Sequence, residues 1–227
     1  MVTYSDIATR VARDQLEVFG GFHPGPNDGA PAGCGTLLLL GPREPGFWDT
    51  LLSAPEATES QSHDASSLNP DLDTMDRWSA RVIGEIATDL GGRAVFPFGG
   101  PPSYPFFAWA TKSGRAWASP VTLLVHDVAG LMVSYRGALA LPFHVDLPTQ
   151  TDARPCARCD QPCVTACPAA ALTAAGYDTG ACHAALDTPA GAGCMTQGCA
   201  VRRACPVSQT YGRDPAQSAY HMRAFHP

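Results

Sequence analysis

The sequence predicts an α+β protein with an N-terminal α/β domain, residues 1–145, and a small cysteine-rich C-terminal domain, residues 146–227. Three observations lead to this prediction. Apolar residues recur with helical spacing between residues 74 and 90. Short apolar runs bounded by Gly, Pro, Asn and Asp indicate several strands in the same half of the chain. Eight of the nine cysteines lie between Cys156 and Cys205.

The elements of the N-terminal domain follow from their periodicity. Apolar residues recur every three to five positions between residues 4 and 19, which predicts a helix that ends at Gly20 and Gly21. The second long helix begins at Thr74, with Asp73 placed to cap its first turn. Residues 54–72 are polar and predict an exposed loop. The predicted strands cover residues 35–40, 94–98, 121–126, 131–135 and 138–141, and short helices are predicted at 47–52 and 104–112.

Residues 142–155 contain several prolines and show no helical or strand periodicity, so we place the domain boundary there.

The composition of the chain limits the classes of partner that we expect. The net charge is −6 and Lys112 is the single lysine, so we expect no nucleic-acid partner. No apolar run approaches the roughly 18 residues of a membrane span, so we expect no membrane partner. The first twenty residues lack the apolar core of a signal peptide, and we expect a cytoplasmic protein.

The first cysteine run of the C-terminal domain is Cys156-x2-Cys159-x3-Cys163-x3-Cys167-Pro168. It resembles the bacterial ferredoxin signature, in which three cysteines bind one iron–sulfur cluster and the cysteine before proline binds a second. One extra residue separates the second cysteine from the third. The run still predicts two four-iron clusters, because its fourth cysteine precedes proline.

The second run is Cys194-x4-Cys199-x5-Cys205-Pro206, and Cys182 supplies the eighth thiol. If the two cysteines that precede proline exchange clusters, the eight thiols divide into two quartets. The first set is Cys156, Cys159, Cys163 and Cys205, and the second set is Cys167, Cys182, Cys194 and Cys199.

Other interpretations of these cysteines stay open at this point. Four thiolates also suit tetrahedral zinc, and Cys-x2-Cys is a common zinc spacing. A single cluster with Cys182 merely buried is a second alternative. A disulfide framework is a third, although a reducing cytosol keeps thiols free. Cys34 stands apart from the module, and we expect it to be a buried apolar thiol.

Several short motifs of the N-terminal half resemble two related groups of proteins. One group is the cobalamin-processing chaperone that removes upper ligands from cobalamin. The other is epoxyqueuosine reductase together with the reductive dehalogenases, which carry base-off cobalamin beside two four-iron clusters. The order of the eight cysteines is also similar to epoxyqueuosine reductase. The motifs are Asp73-Thr-Met-Asp-Arg-Trp-Ser-Ala-Arg81, Gly99-Gly-Pro-Pro102, Ser113-Gly-Arg-Ala-Trp117 and His126-Asp-Val-Ala-Gly130.

The resemblance implies a nitroreductase-like α/β sandwich domain joined to a ferredoxin-like module with two four-iron clusters. It implies a cytosolic iron–sulfur oxidoreductase that passes single electrons to a bound corrinoid, either to reduce cobalamin or to remove its upper ligand. An external ferredoxin or flavodoxin would supply the electrons. The implied cofactor-binding residues are Pro101, Tyr104, Trp117 and His126, and Asp73 is the implied proton donor.

Each of these assignments has a structural alternative. Tyr104 belongs to an aromatic helix that suits a core, His126 suits a hydrogen-bonded structural role, and Asp73 suits a helix N-cap. Arg202 and Arg203 would either dock an acidic electron donor or face solvent. The chain contains no Asp-x-His-x-x-Gly sequence, which argues against a histidine-ligated corrinoid.

The activity also has alternatives. The chain is shorter than epoxyqueuosine reductase and lacks its helical-repeat domain, so we do not expect tRNA reduction. It lacks a twin-arginine signal, so we do not expect respiratory dehalogenation. A flavin-dependent iron–sulfur reductase that binds FMN is the second candidate, and a non-catalytic ferredoxin-type electron carrier is the third.

Overall fold

The computed structural model of the chain describes residues 2–60, 74–149 and 154–227 and shows a mixed α and β structure. This confirms the predicted α+β class. The helices are α1 (Tyr4–Ala12), α2 (Phe47–Leu52), α3 (Pro55–Ser60), α4 (Thr74–Asp89), α5 (Phe106–Lys112), α6 (Thr179–Leu186), α7 (Ala192–Gln197), α8 (Ala200–Ala204), α9 (Pro206–Tyr211) and α10 (Pro215–Phe225). The strands are β1 (Leu16–Phe22), β2 (Thr36–Pro42), β3 (Arg93–Val95), β4 (Ala116–Ala118), β5 (Leu124–His126), β6 (Gly130–Leu131), β7 (Gly137–Leu141), β8 (Leu172–Thr173) and β9 (Gly176–Tyr177).

The chain divides into two compact units. The N-terminal unit comprises Met1–Arg115 and Ser134–Thr151, and the C-terminal unit comprises Ala116–Val133 and Asp152–Pro227. This division differs from the sequence-based boundary at residue 145 in two respects. Residues 116–133, which the sequence analysis placed in the N-terminal domain, belong to the C-terminal unit, and residues 146–151, which it placed in the C-terminal domain, belong to the N-terminal unit.

A four-stranded antiparallel sheet in the order β1-β2-β7-β3 forms the centre of the N-terminal unit. Every residue of β2 and β7 is buried, as the apolar runs predict for inner strands. Helix α4 packs on this sheet with Trp78, Val82 and Ile86 buried. The approach is close at Gly137 of β7, where an added Cβ would lie 2.8 Å from Cδ1 of Ile83.

The helix predicted for residues 4–19 is wrong beyond its first nine residues. Helix α1 starts at a capping box between Thr3 and Asp6 and ends at Ala12. Gln15 has a left-handed backbone with φ 51°, which turns the chain into strand β1. The glycines expected to stop the helix instead lie within β1, where Gly20 has φ 134° next to a shift in the strand register.

The segment predicted as an exposed loop begins with helix α3, and residues 61–73 lie outside the described residues. Glu56 of α3 is 8% exposed and accepts hydrogen bonds from Arg81 of α4, with Nε to Oε1 at 2.6 Å and Nη2 to Oε2 at 3.1 Å. These hydrogen bonds lower the pKa of the Glu56 carboxyl, an effect that burial opposes. The hydrogen-bonded ion pair between Glu56 and Arg81 therefore links α3 to α4.

The C-terminal unit begins with the antiparallel strands β4, β5 and β6. Its strands are shorter than predicted, because Thr122 and Met132 have left-handed backbones at φ 68° and 56° that bend the chain. Gly130 of β6 allows helix α9 to approach closely, since an added Cβ would lie 2.4 Å from the backbone N of Ser208. The Ser208 hydroxyl accepts a hydrogen bond from the Leu131 amide at 2.9 Å.

Five short helices and the β8–β9 hairpin complete the C-terminal unit. Helices α9 and α10 both begin with a proline. The first N–H groups of a helix have no partner within the helix, so proline, which lacks an N–H, costs no hydrogen bond at this position. Across both units, no helix in the described part of the chain is long and apolar enough to cross a membrane.

Replacing Gly41 with alanine should destabilise the N-terminal unit. The new Cβ would lie 2.0 Å from Cε2 of the buried Phe19 ring, so the strand or the ring must move. We expect a loss of about 1–3 kcal/mol in the free energy of unfolding, measured by urea denaturation. The control is Gly84→Ala in α4, where no atom lies within 4 Å of the added Cβ; it should be neutral or stabilising. Equal losses in both variants would contradict the packing argument.

The Glu56–Arg81 pair should stabilise the protein only while the carboxyl is ionised. Because the folded-state pKa of Glu56 is lowered, its contribution is present above the unfolded-state pKa and disappears as pH falls through the folded-state pKa. Arg81 is 41% exposed, so we expect Glu56→Gln to cost only about 0.5–1 kcal/mol at pH 7 and nothing near pH 2. Urea denaturation across this pH range measures the difference, with Glu85→Gln at the exposed second partner of Arg81 as the control.

Candidate metal centres

Two 3₁₀ turns shape the first cysteine run. Cys156 lies in the turn Pro155–Arg158, and Cys163 lies in the turn Pro162–Val164. Between them Gln161 has a left-handed backbone with φ 55°, and its N–H donates a hydrogen bond to Sγ of Cys159 at 3.4 Å. The extra residue of this run, compared with the ferredoxin signature, is thus accommodated in a tight bend that keeps Cys159 next to the turn.

Short helices position the remaining cysteines. Cys182 lies in α6, whose first turn is capped by the Asp178 side chain, and Cys194 lies in α7. Cys199 immediately precedes α8. Cys205 lies between α8 and α9, where the following proline starts α9. Each of these thiols therefore sits in a helix or at a helix end with a fixed backbone direction.

The first set of cysteines surrounds a cavity of about 420 Å³, the first cavity. Cys156, Cys159 and Cys205 line it, and Cys163 packs beside Cys205 in a buried apolar cluster. Burial raises the pKa of the Cys156 thiol, and the neighbouring thiolates of Cys163, Cys205 and Cys159 raise it further. The cysteine from the end of the second run therefore lies with the three cysteines of the first run.

The second set surrounds a separate cavity of about 230 Å³, the second cavity, which all four of its cysteines line. Burial raises the pKa of Cys199, and the nearby thiolates of Cys194 and Cys182 act in the same direction. Amide N–H groups of the first turn of α8 oppose this by donating to the Cys199 sulfur. Cys167, the last cysteine of the first run, therefore lies with the later cysteines.

One apolar cluster supports both sets. Val125, Leu131, Leu172 and Val201 are at most 2% exposed and form it together with Val121, Cys163 and Cys205. Cysteines of both sets pack against its edge, namely Cys156, Cys167 and Cys199. Water is thus kept away from one side of each cavity.

The predicted cofactor-binding residues of the C-terminal unit have structural roles as well. Trp117 of β4 is half-buried and packs against the apolar cluster that contains Cys163. His126 is fully buried, and its Nδ1 accepts hydrogen bonds from the amides of Val128 and Ala129, both at 3.1 Å. These two hydrogen bonds give His126 a structural role, which is the alternative that the sequence analysis left open.

The other two predicted cofactor-binding residues lie in the N-terminal unit. Pro101 is exposed in the Gly-Pro turn. Tyr104 is half-buried, with its ring centroid 5.5 Å from that of Trp109. Phe107, two residues into α5, is 57% exposed, so this part of the unit presents aromatic and proline side chains to solvent. Asp73, the predicted proton donor, lies outside the described residues.

The two arginines between Cys199 and Cys205 differ in exposure. Arg202 is 6% exposed, so docking of a partner through its charge is not supported. Arg203 is exposed, and its Nε donates to the Gly198 carbonyl at 3.1 Å. Cys34 is half-buried rather than buried, and its thiol donates to the Thr36 carbonyl at 3.3 Å. Burial raises the pKa of this thiol, which keeps it protonated.

Sequence reasoning missed Tyr177, which lines the second cavity beside the four cysteines. Its ring packs against the apolar cluster that supports both sets of cysteines. The available signal was its position five residues before Cys182, directly preceding the Asp178 cap of α6. That position alone does not tell which way the side chain points.

The chemistry of these sites is that of free thiols. All nine cysteines are free, and no group of three or more His, Cys, Asp or Glu side chains within residues 2–60, 74–149 and 154–227 is arranged to hold a single metal ion. Comparisons of the chain with protein-family models, with curated proteins and with solved structures found no match. The interpretation of the two cavities therefore depends on the residues that line them.

Proposed function

We propose that the C-terminal unit binds two four-iron four-sulfur clusters, one in each cavity, and that the protein is an iron–sulfur oxidoreductase. One observation carries this proposal. Cys205 lines the first cavity beside cysteines of the first run, and Cys167 lines the second cavity beside cysteines of the second run. This is the exchange that two-cluster ferredoxins make with the cysteine that precedes proline.

The donor set and the space between the thiols fit such clusters. Thiolates select soft metals, chiefly zinc and the iron of iron–sulfur clusters. A tetrahedral zinc ion lies about 2.3 Å from each sulfur, so its sulfurs sit about 3.8 Å apart and enclose no cavity. Cavities of about 230 and 420 Å³ fit a polynuclear group better. The hydrogen bond from the Gln161 amide to Cys159 is of the kind that supports cluster thiolates.

The surroundings of the two cavities suit single-electron transfer, which is the chemistry that bound clusters supply. Exposed Arg158 and Asp160 lie at the rim of the first cavity, so an external donor such as a ferredoxin or flavodoxin could reach it. The second cavity is lined, apart from its cysteines, almost entirely by apolar side chains, including Leu172, Leu186 and Phe225. Such an environment excludes water from the sulfurs.

We propose further that the acceptor is a corrinoid held by the N-terminal unit, in the nitroreductase-like arrangement that the resemblance implies. The support is the resemblance of residues 73–81, 99–102 and 113–117, together with the exposed aromatic and proline side chains around Pro101, Tyr104 and Phe107. Exposed aromatic side chains of this kind provide apolar area for contact with a macrocycle. Because His126 is fully buried, its contribution would be to hold its hairpin turn rather than to bind cobalt.

Paired cysteine variants test both the clusters and the assignment of cysteines to the two sets. After anaerobic reconstitution, the wild-type protein should contain about eight irons, four per cluster. Cys156→Ala with Cys205→Ala removes two ligands of the first set and should leave about four irons. Cys156→Ala with Cys167→Ala removes one ligand from each set and should leave almost none. Iron analysis and electron paramagnetic resonance (EPR) spectra measure the outcome.

The reverse result for these two pairs would mean that each run binds its own cluster and would overturn the exchange. Zinc in place of iron after reconstitution with both metals would overturn the cluster proposal. The matched control is Cys34→Ala, which removes the thiol outside the module and should leave the iron content unchanged.

Titration with cobalamin tests the proposed acceptor. Binding should shift the corrin spectrum to the base-off form, and FMN titrated in parallel should leave the protein without flavin. Phe107→Ser should weaken cobalamin binding about tenfold, because the exposed ring would lose its contact with the macrocycle. The matched control is Leu52→Ser at another exposed apolar position of the same unit.

The outcomes of this titration separate the alternatives. If FMN binds and cobalamin does not, the flavin-dependent reductase replaces the corrinoid reductase. If neither binds at micromolar concentration while both clusters assemble, the protein is an electron carrier.

A further inference from the structure

Tyr177 is held in a fixed position relative to Cys182. It pairs with Leu172 in the β8–β9 hairpin, directly before helix α6, which carries Cys182. The Asp178 amide donates to the Ala171 carbonyl at 2.8 Å, and the Asp178 side chain accepts from the Ala181 amide at 2.8 Å. The hairpin and the helix therefore form one rigid corner.

The Tyr177 ring is fixed by packing on both sides of this corner. It packs against the apolar cluster, and it stacks on Phe225 with ring centroids 6.1 Å apart and an interplanar angle of 23°. A phenol held in this way loses little rotamer freedom when it forms a hydrogen bond. Tyr177 also lines the second cavity.

The second cavity contains few other hydrogen-bond donors. Among the described residues that line it, Tyr177 and His221 are the only ones besides the cysteines with a strongly polar side chain. Tyr177 lines this cavity together with Cys182, Cys167 and Cys199. A phenol keeps its proton at neutral pH, so its hydroxyl is able to donate a hydrogen bond to sulfur.

We propose that the Tyr177 hydroxyl donates a hydrogen bond to the Cys182 thiolate and thereby raises the reduction potential of the cluster held by the second set. This inference rests on the proposed function. A reduced cluster carries one more negative charge than an oxidised cluster, so a donor to its thiolate stabilises the reduced form more. The apolar surroundings strengthen this effect, because little water competes for the sulfur.

Among the described residues, no tyrosine lines the first cavity. Besides its cysteines, the lining consists of the charged pair Arg158 and Asp160 and of apolar residues, namely Val125, Pro155, Pro162, Pro206 and Val207. Tyr177 thus acts on one cluster only. It is a positioning residue that acts through Cys182 and does not transfer electrons itself.

Tyr177→Phe, which keeps the ring and removes the hydroxyl, tests this role in two single-cluster backgrounds. The Cys156→Ala, Cys205→Ala background retains the second set, and the Cys167→Ala, Cys194→Ala background retains the first. Anaerobic redox titration followed by EPR should give a more negative midpoint potential for Tyr177→Phe in the first background. The potential in the other background should not change.

A second readout detects the hydrogen bond itself. In deuterated buffer, electron–nuclear double resonance should detect an exchangeable deuteron near the second cluster, and this signal should weaken in Tyr177→Phe. Tyr4→Phe, which removes a phenol in the N-terminal unit, is the control for both readouts and should change neither.

The possible failures are distinguishable. A wild-type protein that assembles no iron would overturn the proposed function. Clusters with the same potential and the same deuteron signal in Tyr177→Phe would overturn the role of Tyr177 alone. Loss of the second cluster in Tyr177→Phe would assign the side chain to cluster assembly and would also contradict a role confined to the potential.

Discussion

The packing of two cysteine quartets against one apolar cluster is the constraint on which the C-terminal unit depends. The cluster brings together residues from distant parts of the chain, Val125 from β5, Leu172 from β8 and Val201 from α8. Cys163 and Cys205 belong to its buried interior. Each quartet contains a cysteine from the far run, so neither cavity can form unless both runs are folded onto the same core. The two candidate sites should therefore form cooperatively with the fold of the unit.

The hairpin of residues 116–133, which comprises strands β4 to β6, supplies part of the core of the unit that carries the cysteines. Small domains bury a smaller fraction of their surface on folding than large ones, so this contribution matters for a unit of this size. The hairpin contributes Val121, Val125 and Leu131 to the core, and Gly130 lets α9 pack against it closely. The same segment also fixes the hairpin turn through His126, whose buried imidazole accepts two backbone amides. A histidine that resembled a cofactor contact thus has a structural role in this unit.

Periodicity predicted the inner strands and helix α4 because their apolar patterns leave one choice of structure. β2 and β7 are continuous apolar runs, and α4 has a single apolar face. Periodicity failed to predict the structure of residues 13–22, because Leu16 and Phe19 continue the helical spacing of α1 but also suit a strand. The left-handed Gln15 decides between these structures, and a left-handed glutamine leaves no clear signal in a sequence. Spacing alone was therefore insufficient at the start of the sheet.

The sequence by itself determined which thiols are available and the order in which they occur, because the Cys-Pro endings and the spacing of the two runs are local features. Tertiary structure decided which thiols line the same cavity, since Cys205 and Cys167 both pack in or against the apolar cluster on which α8 and α9 also lie. It also decided that Tyr177 lines the second cavity beside the cysteines, because the direction of this side chain depends on how the β8–β9 hairpin packs against the apolar cluster. The residue types determine which thiols are available, whereas the packing of the chain determines which of them lie together.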